Sequence, residues 1–117
     1  MRRLFVESRG FSADRDRLER AGELTLEDIL ALEQDILANP EVGDLVPGTG
    51  GLRKVRLGQR QVRRGKRGSL RVYYLDLAPS KVTHLVAIFG KREKADLSPA
   101  ERKAVAALVR RLKEEAS

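Results

Sequence analysis

Hydrophobic and polar residues alternate in four short segments of the chain, which predicts four β-strands. The segments span residues 2–7, 52–57, 69–77 and 82–89. In the third segment both sets of alternate positions are largely apolar: Leu70, Val72 and Tyr74 form one set, and Arg71, Tyr73, Leu75 and Leu77 form the other. Because a strand with two apolar faces is buried on both sides, we expect this segment at the centre of a sheet.

Two helices are predicted in the first third of the chain. The first is a short charged helix that is capped by Ser12, runs to about Ala21 and is ended by Gly22. The second has an apolar face at helical spacing. It begins after Thr25, which forms a capping-box pattern with Asp28, and it stops before Pro40. Between Pro40 and the next strand, the glycine-rich residues 41–51 predict a loop.

The last predicted helix has a strong start signal, because Ser98, Pro99 and Glu101 occupy its N-cap, N1 and N3 positions. It is expected to run to about Glu115, with an apolar stripe of Val105, Leu108, Val109 and Leu112. Consecutive strands joined by short turns favour antiparallel pairing. We therefore predict an α+β fold in which N-terminal helices and a C-terminal helix pack on a small antiparallel sheet, with residues 1–117 forming one domain.

Positive charge is concentrated in one part of the chain, although the net charge of the whole is only +7. No acidic residue occurs between Asp44 and Asp76. This stretch contains nine cations: Arg53, Lys54, Arg56, Arg60, Arg63, Arg64, Lys66, Arg67 and Arg71. Of the 24 Lys and Arg in all, 15 remain for the rest of the chain, against 17 acidic residues. Such a segment predicts a surface that binds a polyanion, with residues 59–68 as its mobile loop.

Several kinds of chemistry are excluded or disfavoured by the composition. The chain has no cysteine, so it has no disulfide, thiolate metal site or cysteine nucleophile. The lone histidine, His84, lies among apolar residues of a predicted strand, where a structural role is the expected one. The basic stretch contains no carboxylate to hold a catalytic metal, and we expect no metal or other cofactor. Without a secretory signal or a long apolar run, the protein is expected in the cytoplasm, away from membranes.

Lysine and arginine side chains can cleave RNA without further groups, because the 2′-hydroxyl is a built-in nucleophile beside the phosphate. The protein must orient that hydroxyl, accept its proton and stabilise the charge on phosphorus. In the predicted sheet, Lys54 and Arg56 share one face, and Arg71 can lie opposite them on the neighbouring strand. From charge alone, two other functions stay open: binding of nucleic acid without cleavage, and docking of an acidic partner protein.

Three segments together resemble the RelE/HigB superfamily of toxins from bacterial toxin–antitoxin pairs. They are PGTGGLRKVR, RGKRGSLRVYY and IFGKREKADLSPAERK, in that order. The segments FVESRGFS and ALEQDILANPEVGDLVPGTGG are similar to the HigB-like branch. The resemblance implies a RelE-like fold and a ribosome-dependent endoribonuclease that cuts mRNA in the ribosomal A site without a metal. It also implies a cognate antitoxin, often of the helix-turn-helix type, through which alone the toxin would contact DNA.

The resemblance implies particular site residues as well. The catalytic set is Lys54, Arg56, Arg71 and Arg92. Either Lys54 or Arg56 would act near the nucleophile, and Arg71 and Arg92 would hold the phosphate. A wider RNA-binding set is predicted from the charge of the basic stretch itself: Arg53, Arg60, Arg63, Arg64, Lys66 and Arg67. The last of the three resembling segments adds Phe89, Lys91 and Lys94 to this set. Many relatives carry a tyrosine where this chain has Ser98 or Phe89. This departure leaves open a degenerate toxin that serves as an antitoxin-binding co-repressor.

Overall fold

Five strands form one mixed sheet in the part of the chain described by the computed structural model, which comprises residues 3–57, 70–90, 93–94 and 96–116. The strands are β1 (Leu4–Glu7), β2 (Asp44–Leu45), β3 (Arg53–Leu57), β4 (Leu70–Leu77) and β5 (Val82–Gly90). The helices of the same residues are α1 (Arg9–Arg20), α2 (Leu26–Ala38) and α3 (Pro99–Ala116). The strand order is β1-β5-β4-β3-β2, so β4 is central as predicted. The predicted α+β class is confirmed.

The sheet differs from the prediction at both edges. Strands β3, β4 and β5 are antiparallel neighbours, as expected, but β1 pairs with β5 in parallel, with Leu4 opposite Val82. No short turn joins β1 to β5 in the chain, so the turn argument that predicted antiparallel pairing does not apply to them. Strand β2 lies within the predicted loop of residues 41–51 and was missed, since two residues are too few to show an alternation.

The first helix begins earlier than predicted. Its N-cap is Ser8, whose hydroxyl accepts a hydrogen bond from the Phe11 amide at 3.0 Å. The hydroxyl of Ser12, the predicted cap, instead donates to Glu7 at 2.7 Å. The ring of Phe11 is fully buried, and α1 places it in the core from the first turn of the helix. Burial of that ring gives a reason for the earlier start that the charged run alone does not show.

The other two helix starts are confirmed. In α2, the Thr25 hydroxyl accepts from the Asp28 amide at 3.2 Å, and the Thr25 amide donates to the Asp28 carboxylate at 2.9 Å. The same reciprocal pair joins Ser98 and Glu101 at the start of α3. These bonds satisfy backbone N–H groups that have no partner within the helix, and so fix where α3 begins.

The sheet separates two apolar clusters. One lies between the sheet and helices α1 and α2, and includes Phe11, Leu18, Ile29, Leu32, Ile36, Val72, Tyr74 and Ile88. The other lies under α3, and includes Leu52, Tyr73, Leu75, Val86, Phe89 and Val109. The two predicted faces of β4 thus face different clusters. Because Leu52 lies under α3, the alternating positions Lys54 and Arg56 belong to the α3 side of the sheet.

No helix among the described residues is both long enough and apolar enough to cross a lipid bilayer.

Candidate nucleic-acid interface

Three cations of the predicted catalytic set meet on the α3 side of the sheet. Lys54 and Arg56 are two residues apart on β3, and Arg56 is paired in register with Arg71 on β4. Tyr73, the next residue on that face of β4, is paired with Lys54. Residues paired in this way have Cβ atoms about 5 Å apart. The three cations Lys54, Arg56 and Arg71 therefore form one compact group beside Tyr73, which we call the cationic patch.

The position of this patch follows from the alternation of β3. Val55 and Leu57 point to the cluster under α1 and α2, which leaves Lys54 and Arg56 on the other side. Arg53 points away from the patch, since its guanidinium donates to the carbonyl oxygens of Gly43 at 2.7 Å and Glu41 at 3.4 Å. The structure thus separates Arg53 from Lys54 and Arg56, the predicted catalytic residues beside it on β3.

An aromatic pair borders the patch. The rings of Tyr73 and Phe89 are stacked, with centroids 5.4 Å apart and planes inclined by 23°. Phe89 is paired with Arg71 in the sheet, and the Lys94 ammonium lies 4.6 Å from its ring centroid. Lys94 also forms an ion pair with Glu101 at the start of α3. Phe89 is only 3% exposed, so in this arrangement it supports the patch from within and offers little free ring surface to a base.

A carboxylate that sequence analysis did not select lies at the edge of the patch. The Tyr73 hydroxyl donates to Asp96 Oδ1 at 2.5 Å, and the Leu97 amide donates to the same oxygen at 2.8 Å. Asp96 Oδ2 lies 3.9 Å from the Lys54 ammonium and 3.6 Å from the Arg102 guanidinium. Asp96 therefore connects β3, β4 and the start of α3.

Arg102 is the second site residue that the sequence did not indicate. Besides its contact with Asp96, it donates to the Pro47 carbonyl oxygen at 3.1 Å. It also lines an open cleft of about 440 Å³, whose other walls come from Gly48, Leu97, Pro99 and Lys103. The cleft adjoins the cationic patch through Arg102 and Asp96, so the positive surface continues along the first turn of α3.

The protonation states of Asp96 and Tyr73 follow from their surroundings. The bond from Tyr73 is the main reason that the pKa of Asp96 lies below its ordinary value, and the Leu97 amide, Lys54 and Arg102 act in the same direction. The pKa of Tyr73 is raised, chiefly by burial of the phenol and further by its bond to Asp96. At neutral pH the site therefore holds an ionised carboxylate and a protonated phenol.

No sequence pattern pointed to Asp96 or Arg102. Asp96 occurs in a charged turn, residues 90–96, where four of its six neighbours are also charged. Arg102 follows a capping residue on the polar side of a helix. Their proximity to Lys54 depends on how α3 crosses the sheet. The predicted residues Arg60, Arg63, Arg64, Lys66, Arg67, Lys91 and Arg92, together with the predicted loop of residues 59–68, lie outside the described residues.

Neither His84 nor the acidic residues form a metal site in the described structure. His84 is half-buried in β5, and burial lowers its pKa below the ordinary value, in keeping with the predicted structural role. Within residues 3–57, 70–90, 93–94 and 96–116, no group of three or more His, Asp or Glu side chains is arranged to hold a metal ion.

No family model matches this chain, but several solved structures resemble it. The structure is similar to that of a doubly substituted mutant of the E. coli toxin RelE in the free state, with a TM-score of 0.49 and 13% sequence identity. The likeness covers 81% of this chain and 90% of that one. The fold and the site themselves define a small α+β protein with a cationic patch on one sheet face, bordered by stacked aromatic rings.

Proposed function

We propose that this protein is a toxin of the RelE/HigB kind, an endoribonuclease that cuts mRNA in the ribosomal A site. The observation that carries the proposal is the cross-strand pair Arg56 and Arg71 beside Lys54. These are three of the four residues for which the sequence resemblance implies a catalytic role. Arg92, the fourth, is proposed as a further phosphate contact.

The cationic patch supports this chemistry through its charge and its rigidity. Among the described residues, neither Arg56 nor Arg71 forms an ion pair, so both guanidinium groups can bind phosphate oxygens. Strands β3 and β4 hold the two at a fixed spacing, which suits the stabilisation of charge that develops on phosphorus. Lys54, next on the same face, would act at the 2′-oxygen that attacks the phosphate. This route uses RNA's own nucleophile and requires no metal.

We extend the proposal to the partners. A cognate antitoxin is expected to neutralise the protein in the cytoplasm, by covering the cationic patch or by blocking entry into the ribosome. A helix-turn-helix antitoxin would also connect the complex to operator DNA. The remaining cations of the predicted RNA-binding set would contact the mRNA or the ribosome, where phosphates are dense.

The proposed cleavage is tested with purified protein and ribosomes programmed with a defined mRNA. We expect cleavage in the A-site codon only when ribosomes are present. Attack by the 2′-oxygen leaves a 2′,3′-cyclic phosphate on one product and a 5′-hydroxyl on the other, and labelling of the ends detects both. Lys54→Gln and Arg71→Gln should each slow cleavage by about 100-fold or more. Arg111→Gln removes the same charge from an exposed position on α3 and should leave the rate unchanged.

A second candidate function is binding of nucleic acid without cleavage. A degenerate toxin that binds its antitoxin as a co-repressor is a separate non-catalytic alternative, and intact antitoxin binding without toxicity would support it. Two observations favour a loss of catalysis: the Tyr73 hydroxyl is buried and donates to Asp96, and Phe89 has no hydroxyl. If mRNA stays intact on ribosomes while the protein binds RNA with a steep dependence on salt, this second function is the correct one.

A further inference from the structure

We infer that Asp96 is a positioning residue of the proposed RNA-cleaving site, acting through Lys54 and not on the RNA itself. The inference rests on the proposed function, because it assigns Asp96 a part in the reaction of Lys54. The juxtaposition that carries it is a single carboxylate in contact with β3, β4 and α3.

The two oxygen atoms of the Asp96 carboxylate have different surroundings. Oδ1 accepts hydrogen bonds from the Tyr73 hydroxyl and from the Leu97 amide. Tyr73 itself is fully buried and stacked on Phe89, so this anchor is part of the core. Oδ2 is directed to Lys54 and Arg102, and the Asp96 side chain is 41% exposed. An RNA strand on the patch can therefore approach Lys54 without displacing the anchor of Asp96.

Lys54 needs such a partner because of its neighbours. The lysine side chain is long and flexible, and fixing it in one rotamer has an entropic cost. Arg56 is two residues away on the same face and Arg71 lies opposite Arg56, so both repel the ammonium. Asp96 attracts it from the α3 side, towards Tyr73. The balance of these forces defines where the ammonium lies relative to a phosphate bound by the two arginines.

Charge alone makes Asp96 unfavourable for a surface that only binds RNA. A carboxylate beside Lys54 and Arg102 repels phosphate and competes for both cations. Removal of its charge is therefore expected to tighten binding. If Asp96 also positions Lys54, the same change slows cleavage. Opposite effects on binding and on turnover distinguish positioning from a structural role, which would weaken both together, and from simple repulsion, whose removal would improve both.

The test is Asp96→Asn in the full chain, with cleavage on programmed ribosomes measured as a single turnover over a range of protein concentrations. Asparagine keeps a carbonyl oxygen for Tyr73 and Leu97 but has no charge to hold Lys54. We expect the plateau rate to fall by roughly 10- to 100-fold. The concentration at half-saturation should stay the same or decrease. Asp16→Asn is the matched control, since it removes the same charge from an exposed ion pair with Arg20 on α1.

A second variant guards against a folding defect in the first. Tyr73→Phe removes one anchor of Asp96 and leaves all charges in place, so we expect a smaller fall in plateau rate at unchanged half-saturation. An unchanged plateau rate in Asp96→Asn overturns the inference and leaves the proposed function intact. A fall in plateau rate with weaker binding and a lower melting temperature in both variants also overturns it. If the wild-type protein cleaves no RNA under any of these conditions, the proposed function fails and this inference fails with it.

Discussion

Arg56 on β3 and Arg71 on β4 are paired directly opposite each other in the sheet. Like charges in this relation destabilise a pair of antiparallel strands, because their Cβ atoms are only about 5 Å apart. Among the described residues, no carboxylate forms an ion pair with either of them. An RNA phosphate between the two guanidinium groups would neutralise both and accept hydrogen bonds from each. The pair is thus unfavourable for the free protein and favourable for an anion-bound one.

Neutralisation of one arginine should therefore stabilise the fold while it weakens function. We predict that Arg56→Gln raises the free energy of unfolding by a few tenths to about 1 kcal/mol, measured by urea denaturation at low salt. The gain should shrink as salt is added, since salt screens the repulsion in the wild-type protein. Arg111→Gln, on the exposed side of α3, should change little. A loss of stability in Arg56→Gln at low salt would show that the arginine pair is held by contacts that outweigh its repulsion.

The adjacent residues Tyr73 and Tyr74 of β4 face opposite sides of the sheet, and their hydroxyl groups form hydrogen bonds with different partners. The Tyr74 hydroxyl donates to the Pro40 carbonyl at 2.8 Å and accepts from the Gly43 amide at 2.9 Å. It thus fixes the turn between α2 and β2. This turn is also closely packed, because a Cβ atom on Gly43 would lie 2.9 Å from the Lys54 carbonyl oxygen.

We predict that Tyr74→Phe lowers the free energy of unfolding by about 1–3 kcal/mol, since it leaves two polar backbone groups without a partner. The Gly43 amide should also exchange with solvent faster, as measured by hydrogen exchange. Tyr73→Phe is the matched control: its partner Asp96 is partly exposed and can bind water, so the loss should be smaller. Equal losses in the two variants would contradict the assignment of Tyr74 as the anchor of this turn.

A buried ion pair at the end of the sheet offers a third prediction. Arg3 pairs with Asp76, and both side chains are almost entirely buried. Asp76 also accepts from the Thr83 hydroxyl at 2.9 Å, whereas Arg3 Nε has no hydrogen-bond partner in the described structure. Removal of the carboxylate leaves a buried guanidinium without its counter-charge, so Asp76→Ala should cost about 3–5 kcal/mol of stability.

The matched variant for Asp76→Ala is the double change Arg3→Met with Asp76→Leu, which removes both charges. It should recover much of the stability lost by the single change, because no buried charge remains. Thermal unfolding of the three proteins measures the difference. A double variant as unstable as the single one would show that the loss comes from packing and not from an unpaired charge.

Local patterns were sufficient to predict most of the fold. The two apolar sets of β4, the capping boxes at Thr25 and Ser98, and the stripe of α3 each depend on residues close together in sequence. These local patterns do not predict the parallel pairing of β1 with β5. That pairing joins Leu4 to Val82 and is decided by packing over the whole chain.

The same limit applies to the site. Alternation and strand order placed Lys54, Arg56 and Arg71 together, because they lie on adjacent strands of one meander. Asp96 and Arg102 reach them only through the path of α3 across the sheet, which no spacing in the sequence encodes. Arg53, predicted beside them from charge alone, points to the opposite face, since charge does not distinguish alternate positions of a strand.

The lowered pKa of Asp96 gives a prediction for stability at acid pH. A carboxyl group whose pKa is depressed by folding stabilises the protein above its unfolded pKa of about 3.9, and that contribution is lost as the pH falls through the lower, folded value. The wild-type protein should therefore exceed Asp96→Asn in stability by a constant amount above roughly pH 5, and the difference should decrease below about pH 4. The effect is expected to be modest, because Asp96 is 41% exposed and water screens its ion pairs.

Urea midpoints of the two proteins, measured from about pH 2.5 to about pH 8, give this difference in stability. The range extends below and above the pKa of a carboxyl group, which is about 4. Glu101 also has a lowered pKa, chiefly through Lys94, and loses its contribution in acid. Because Glu101 is present in both proteins, its effect cancels in the comparison. A difference that stays constant down to the lowest pH would show that the charge of Asp96 does not contribute to stability. The hydrogen bonds from Tyr73 and Leu97 would then require only an acceptor oxygen at this position, which asparagine also has.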